Sequence, residues 1–143
     1  MYNTVGKCII YIIRLKGGNV VVSFEGFTLS GNAPIYQQIL LFLKRGAVSG
    51  TIRDGDELPS RRVLSALLGV NPNTVQKAYR LLEEEGLMTS HTGAKSQMVL
   101  TGEAIRRIRS ELLEGDARAL VTAMRQMGLT KEEAAALLDR YWE

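Results

Sequence analysis

The sequence predicts a mainly α-helical protein carrying one small β-hairpin, with a helix-turn-helix at its centre. Three observations predict it. Residues 58–87, LPSRRVLSALLGVNPNTVQKAYRLLEEEGL, read as two short helices joined by a tight turn. Residues 87–100, LMTSHTGAKSQMVL, read as a hairpin with its tip around Thr92-Gly93-Ala94-Lys95. Residues 101–143 return to a helical spacing of apolar side chains.

Composition sets the outer limits. A chain of 143 residues with 45% hydrophobic content can bury a core and suits one domain with an appendage. The net charge of +3 permits nucleic-acid binding without demanding it. Residues 34–100 carry 8 Lys and Arg against 6 Asp and Glu, and residues 101–143 carry 7 against 8. So small an excess disfavours a non-specific polybasic binder and leaves room for a sequence reader with a few placed cations. Cys8 is the only cysteine, which excludes an internal disulfide and fits a reducing cytoplasm. No apolar run approaches the ~20 residues that span a bilayer, and Arg14 interrupts CIIYII, which is too short for a signal peptide.

Residues 1–33 form an N-terminal arm without helical period. Within it Val20, Val22 and Phe24 alternate with Val21, Ser23 and Glu25, a strand signal. Lys16-Gly17-Gly18 can be encoded by a purine-rich stretch resembling a bacterial ribosome-binding site, and a GUG codon at Val20, Val21 or Val22 would follow at usable spacing. The expectation is that part of the arm lies upstream of the true start, with an ordinary flexible arm as the alternative.

From Pro34, Ile35, Ile39, Phe42 and Leu43 fall at helical spacing, with Pro34 in the first turn and Gly50 as the stop. TIRDGDELP is a turn-rich connector. Ser60 caps the next helix, whose expected apolar face is Val63, Leu64, Leu67 and Leu68; Gly69 ends it. Asn71-Pro72 opens the following helix, with Asn as cap and Pro in the first position, and Val75, Ala78, Tyr79 and Leu82 are its buried side. Beyond the hairpin, Thr101 caps a helix with Ile105, Ile108 and Leu112 on one face, which Gly115-Asp116 is expected to kink or break. Leu120, Met124 and Met127 continue the apolar stripe to Gly128. Thr130-Lys131-Glu132-Glu133 is a capping box for a last helix carrying Ala134, Leu137, Leu138 and Tyr141.

The chemistry concentrates on the second helix of the pair. A helix-turn-helix needs a first helix as brace and a second whose N-terminal side chains reach base edges. Asn73, Thr74, Gln76, Lys77 and Arg80 lie off its apolar face. Asn and Gln can bond adenine bidentately, Arg and Lys can read guanine or pair with phosphate, and Thr suits phosphate. Arg61 and Arg62 open the bracing helix, where cations oppose the positive end of the dipole unless an anion binds nearby. A solvated helix face explains any one of these residues equally well, but not the whole set. Glu83-Glu84-Glu85, at the far end, reads as a solvated acidic face that points away from DNA.

Enzymatic chemistry has no constellation behind it. His91, the only histidine, has no Cys, His or Asp partners at ligand spacing, and it forms no triad with Ser60. Gly17-Gly18 is not followed by a helix with phosphate-loop spacing. No catalytic residue, metal site or cofactor is expected.

An ordered set of segments carries a family likeness: Pro34-Ile35-Tyr36-Gln37-Gln38-Ile39, Gly55-Asp56-Glu57-Leu58-Pro59-Ser60, Leu68-Gly69-Val70-Asn71-Pro72-Asn73-Thr74-Val75, and Ala78-Tyr79 through Glu85-Gly86-Leu87. Over about residues 34–93 the chain resembles the GntR family of bacterial transcription regulators. The resemblance implies a winged helix-turn-helix domain, residues 34–100, that binds a double-stranded, palindromic operator as a homodimer. It matches Arg62 to the family's basic residue in the bracing helix, and Asn71, Asn73, Thr74 and Gln76 to DNA-contacting positions. It matches Thr92 and Gly93 to the wing tip. Two departures stand out. Val63 occupies the place of a glutamate that would form a capping box with Ser60, and Ala94-Lys95-Ser96-Gln97 replaces the usual ending of the wing. Residues 101–143 are too few for a large effector-binding or aminotransferase-like domain and resemble the short helical dimerisation region of the YtrA subfamily. The resemblance implies a repressor, of a kind that often controls transporter operons; it names neither operator nor effector.

Two other readings compete. One is a winged-helix protein-interaction module without DNA binding, using the apolar C-terminal stripe. The other is a piece of a larger pyridoxal-phosphate-dependent regulator, against which the last capping box and Trp142 near the end of the chain argue.

Overall fold

A computed structural model describes residues 18–90 and 95–143 of the protein. In chain order the elements are α1 (Ile35–Ser49), β1 (Glu57–Leu58), α2 (Arg61–Leu68), α3 (Pro72–Glu84), β2 (Met88–Ser90), β3 (Ser96–Met98), α4 (Gly102–Gln126) and α5 (Lys131–Tyr141). Backbone contacts divide the chain into two compact units, one ending at Arg106 and the other running from Arg107 to Glu143.

In the first unit, α1 and α2 both pack on α3. The shared core is Ile39, Leu43 and Ala47 of α1, Leu64 of α2, and Val75, Ala78, Tyr79 and Leu82 of α3. All four residues expected inside α3 are therefore buried. The expected face of α2 needs correction: Leu64, Ser65 and the half-buried Leu68 face inward, while Val63 is 50% and Leu67 68% exposed. A helix of 8 residues spans only about two turns, and one narrow stripe is all it can bury.

Helix boundaries follow from their caps. Ser60 Oγ accepts from the Val63 amide at 3.1 Å, and Asn71 Oδ1 accepts from the Asn73 amide at 2.8 Å, with Pro72 in the first turn. Gly69 closes α2 with φ of 65° and donates its N–H to the Ser65 carbonyl. Pro34 is the cap of α1 rather than a residue of its first turn. Thr130 and Glu133 form the expected capping box of α5. Helix α4 runs unbroken through Gly115-Asp116, contrary to expectation. The single glycine adopts helical backbone there, at a cost of only about 1 kcal/mol relative to alanine.

The connector before α2 holds more structure than its turn-rich composition suggests. Glu57 and Leu58 make β1, which joins the hairpin in a three-stranded antiparallel sheet of order β1-β3-β2. Leu58 pairs with Ser96 and Glu57 with Gln97; across the hairpin Ser90 faces Ser96 and Met88 faces Met98. Leu58, Met88 and Met98 bury the inner side. Two carboxylates organise the turn. The fully buried Asp56 accepts from the Arg53 amide at 2.9 Å and the Val20 amide at 3.2 Å, and Asp54 accepts from the Leu100 amide at 2.8 Å.

The Val20 contact ties the arm to the sheet. Val21 bridges Glu57 in parallel sense, with Val22 N–H donating to the Glu57 carbonyl at 2.7 Å and Glu57 N–H to the Val20 carbonyl at 2.9 Å. The alternation read from the sequence holds here: Val22 is buried and Val20 and Phe24 are half-buried, while Val21, Ser23 and Glu25 are exposed. Phe24 stacks on Phe42 of α1 with ring centroids 5.0 Å apart, and Phe27 meets both rings edge-on. A flexible arm is thus not a description of residues 20–27. Of the ribosome-binding-site reading at Lys16-Gly17-Gly18, Lys16 and Gly17 lie outside the described residues.

In the second unit, Ile108 of α4 is buried. Leu113, Leu120, Val121, Met127, Leu138, Tyr141 and Trp142 are between 40% and 82% exposed. Met124, Leu137, Leu138, Tyr141 and Trp142 line an apolar groove. Among the described residues, no helix is long and apolar enough to cross a membrane.

Candidate nucleic-acid interface

Burying Val75, Ala78, Tyr79 and Leu82 fixes the rotation of α3 about its axis. A helix advances 100° per residue, so side chains between these positions must turn outward. Asn73, Lys77 and Arg80 are exposed, and Thr74 and Gln76 half-buried, on that outward side. The predicted reading set is therefore brought together on one helix front. Asn71 stands at its head, with Oδ1 already committed to capping.

Tyr79 locks α3 to its brace. Its buried hydroxyl donates to the Pro59 carbonyl at 2.6 Å, at the entry to α2. Burial pushes the phenol well above its ordinary range, with the nearby positive charge of Arg61 opposing part of that rise. The phenol is therefore a neutral, permanent donor at any physiological pH.

Arg61 and Arg62, exposed on the first turn of α2, line a cleft with Val21, Glu57, Ser90, Lys95 and Ser96. Two cations from the brace and one from the residue just before β3 thus face a single concavity, an arrangement suited to a polyanionic backbone. In the sequence Lys95 reads only as part of a hairpin tip. Its Nζ lies 3.4 Å from Glu57 Oε1 of β1. A lysine at the start of a wing strand was the available signal; the folding of β1 beside it was not.

The other cations near the reading front differ in their partners. Arg80 pairs with Glu84 one turn on at 3.7 Å, with both side chains largely exposed. Lys44 of α1 pairs with Glu85 at 2.8 Å, which holds the acidic end of α3 to α1. Glu85 is accordingly part of a helix–helix clamp and not simply a solvated charge. Lys77 extends over an aromatic ring, its Nζ 4.0 Å from the centroid of Tyr36. Thr92, Gly93 and His91 lie outside the described residues, so the expected wing-tip contacts have no geometry here. Among the described residues no group of three or more His, Cys, Asp or Glu is placed to hold a metal ion.

Comparison with known proteins agrees with this architecture. Residues 35–95 match the family described as bacterial regulatory proteins, gntR family. The chain is 30% identical over 112 residues to the HTH-type transcriptional repressor YtrA of Bacillus subtilis, covering 78% of this chain and 82% of that one. Among solved structures, a GntR family transcriptional regulator from Listeria monocytogenes superposes with a TM-score of 0.70 at 28% identity, covering 78% of this chain and 98% of that one. YtrA from Sulfolobus acidocaldarius, a GntR-family transcription factor, gives 0.50 at 33% identity, covering 66% and 95%.

Proposed function

The chain belongs to the gntR family of bacterial regulatory proteins, and on that premise we propose that it is a repressor binding a palindromic operator as a homodimer. As a member of the family, with a YtrA-like short helical C-terminal region, it is a DNA-binding transcriptional regulator and not an enzyme. The observation that carries the proposed contacts is the division of α3 into a wholly buried side and a polar front.

In this reading α3 enters the major groove with Asn73 and Gln76 at base edges, where each can satisfy a donor–acceptor pair on adenine. Thr74, Lys77 and Arg80 serve the flanking phosphates, and Asn71 fixes the start of the helix and offers its remaining amide group. Arg61, Arg62 and Lys95 bind the backbone across the cleft, with Thr92 and Gly93 at the wing tip. Dimerisation supports the palindrome, because two identical readers related by a two-fold axis address two identical half-sites about one helical turn apart. The exposed apolar side chains of α4 and α5 supply a surface for it. Repression is supported by the Bacillus subtilis relative, which is named a repressor.

A mobility-shift assay on the DNA flanking the protein's own gene tests the reading. Asn73→Ala and Gln76→Ala are each expected to relax preference at one base position, losing about 1–3 kcal/mol of discrimination there. Should both variants keep the parent's preference at every position, these two residues are not base readers.

A further inference from the structure

Lys77 differs from the neighbouring basic side chains in what holds it. Lys44, Arg80 and Lys95 each have a carboxylate partner, on Glu85, Glu84 and Glu57 respectively. The ammonium of Lys77 rests instead on the face of Tyr36, 4.0 Å from the ring centroid. A carboxylate orders a basic side chain and offsets part of its charge. An aromatic face orders it while leaving the charge intact.

We infer that Tyr36, from the first turn of α1, is a positioning residue for DNA binding: its ring holds Lys77 in the conformation that meets a phosphate beside the reading helix. The inference rests on the reading of α3 as the DNA-facing helix. A free lysine side chain has one of the largest conformational entropies of any residue, and restricting it before the encounter removes part of the cost of binding. The ammonium has three N–H donors, and a ring beneath it leaves the opposite side for an anion. Tyr36 itself is half-buried against the first unit, and its hydroxyl accepts from Gln37 Nε2 at 3.2 Å. Burial of the ring is what holds the platform in place, with the exposed hydroxyl contact a minor addition. Because a phosphate is present at every base step, the benefit is the same on operator and on unrelated DNA.

The test uses the full chain and a double-mutant cycle of Tyr36→Leu and Lys77→Ala, read as affinity against salt on the DNA flanking its gene and on an unrelated duplex. Tyr36→Leu is expected to weaken binding about two- to fivefold on both duplexes, the size of a surface cation–π contact, with the salt slope of the parent retained. Lys77→Ala lowers affinity and flattens the slope by about one unit. In the Lys77→Ala background Tyr36→Leu has no further effect. Tyr36→Phe, which keeps the ring, binds like the parent, and thermal unfolding confirms that each variant is folded. If Tyr36→Leu weakens the Lys77→Ala protein as much as the parent, the ring acts on its own and the inference fails. If Tyr36→Leu tightens binding, the ring withholds Lys77 from DNA, which equally overturns it. A normal flattening by Lys77→Ala with no effect of Tyr36→Leu removes this inference alone. A parent that shifts neither duplex, or a Lys77→Ala protein with unchanged slope, removes the DNA-facing reading of α3 and this inference with it.

Discussion

Tyr79 shows how one side chain couples stability to the geometry of the interface. Its hydroxyl satisfies the Pro59 carbonyl at the point where the connector turns into α2, so the first residues of the brace are registered against the centre of α3. Tyr79→Phe keeps the ring but leaves that carbonyl without its donor, and urea unfolding is expected to show a loss of about 1–3 kcal/mol. The same variant carries a pH signature. The folded phenol titrates above its unfolded value, so the stability linked to its protonated form is complete below about pH 10 and declines as pH rises past it. The difference in stability between parent and Tyr79→Phe should therefore shrink in alkali, and a constant difference from pH 8 to 11 would contradict the buried donor. Tyr79 was legible in the sequence because helical spacing alone sends it inward with Val75, Ala78 and Leu82. Asp56 was not. An aspartate after a glycine announces a turn, but its amide donors, Val20 and Arg53, become visible only once a segment 36 residues away is brought beside it.

At the scale of elements, helices with caps were the most readable because their signals are local: Ser60, Asn71-Pro72 and Thr130 each act within three residues. The strands were only half readable. The period of two was present in Val20–Glu25 and only imperfect in the hairpin, while β1 is two residues long and acquires its identity from pairing with β3. The face of α2 was misread because Val63 and Leu67 are apolar without being buried, and periodicity cannot tell an inner stripe from an outer one. The arm segment makes the clearest test. A chain beginning at residue 28 loses Val22 from the core and the Phe24 and Phe27 rings from Phe42, and should be about 2–4 kcal/mol less stable than the parent. A chain beginning at residue 18 keeps all of these and is the control against which that loss is read in urea. Equal stability of both shortened chains would show that the strand and its aromatic cluster contribute nothing. Mass spectrometry of the protein from its native host addresses the separate question of which residue begins it.

At the scale of the whole molecule, the proposed dimer divides affinity and specificity between the two units. In the proposed reading, a single α3 front with two base-reading amides discriminates only a few base pairs, too few for one site in a genome. A second copy doubles the readout and converts the second half-site into an intramolecular binding event, which can raise affinity by about 10²–10⁴ without any new contact to DNA. The exposed apolar side chains from Leu113 to Trp142 are the part of the second unit suited to holding that copy, and most of them were legible as a helical stripe. Removing residues 107–143 is expected to give a monomer by sedimentation and to weaken operator binding at least about 10²-fold, while the salt slope per protomer is retained. Leu138→Glu reaches the same end with every helix in place, because a charge in the groove with Met124, Leu137, Tyr141 and Trp142 opposes burial of that surface. Full operator affinity in a Leu138→Glu protein that sediments as a monomer would mean that one reading helix suffices. Dimers from the chain ending at residue 106 would move the symmetric contact into the first unit.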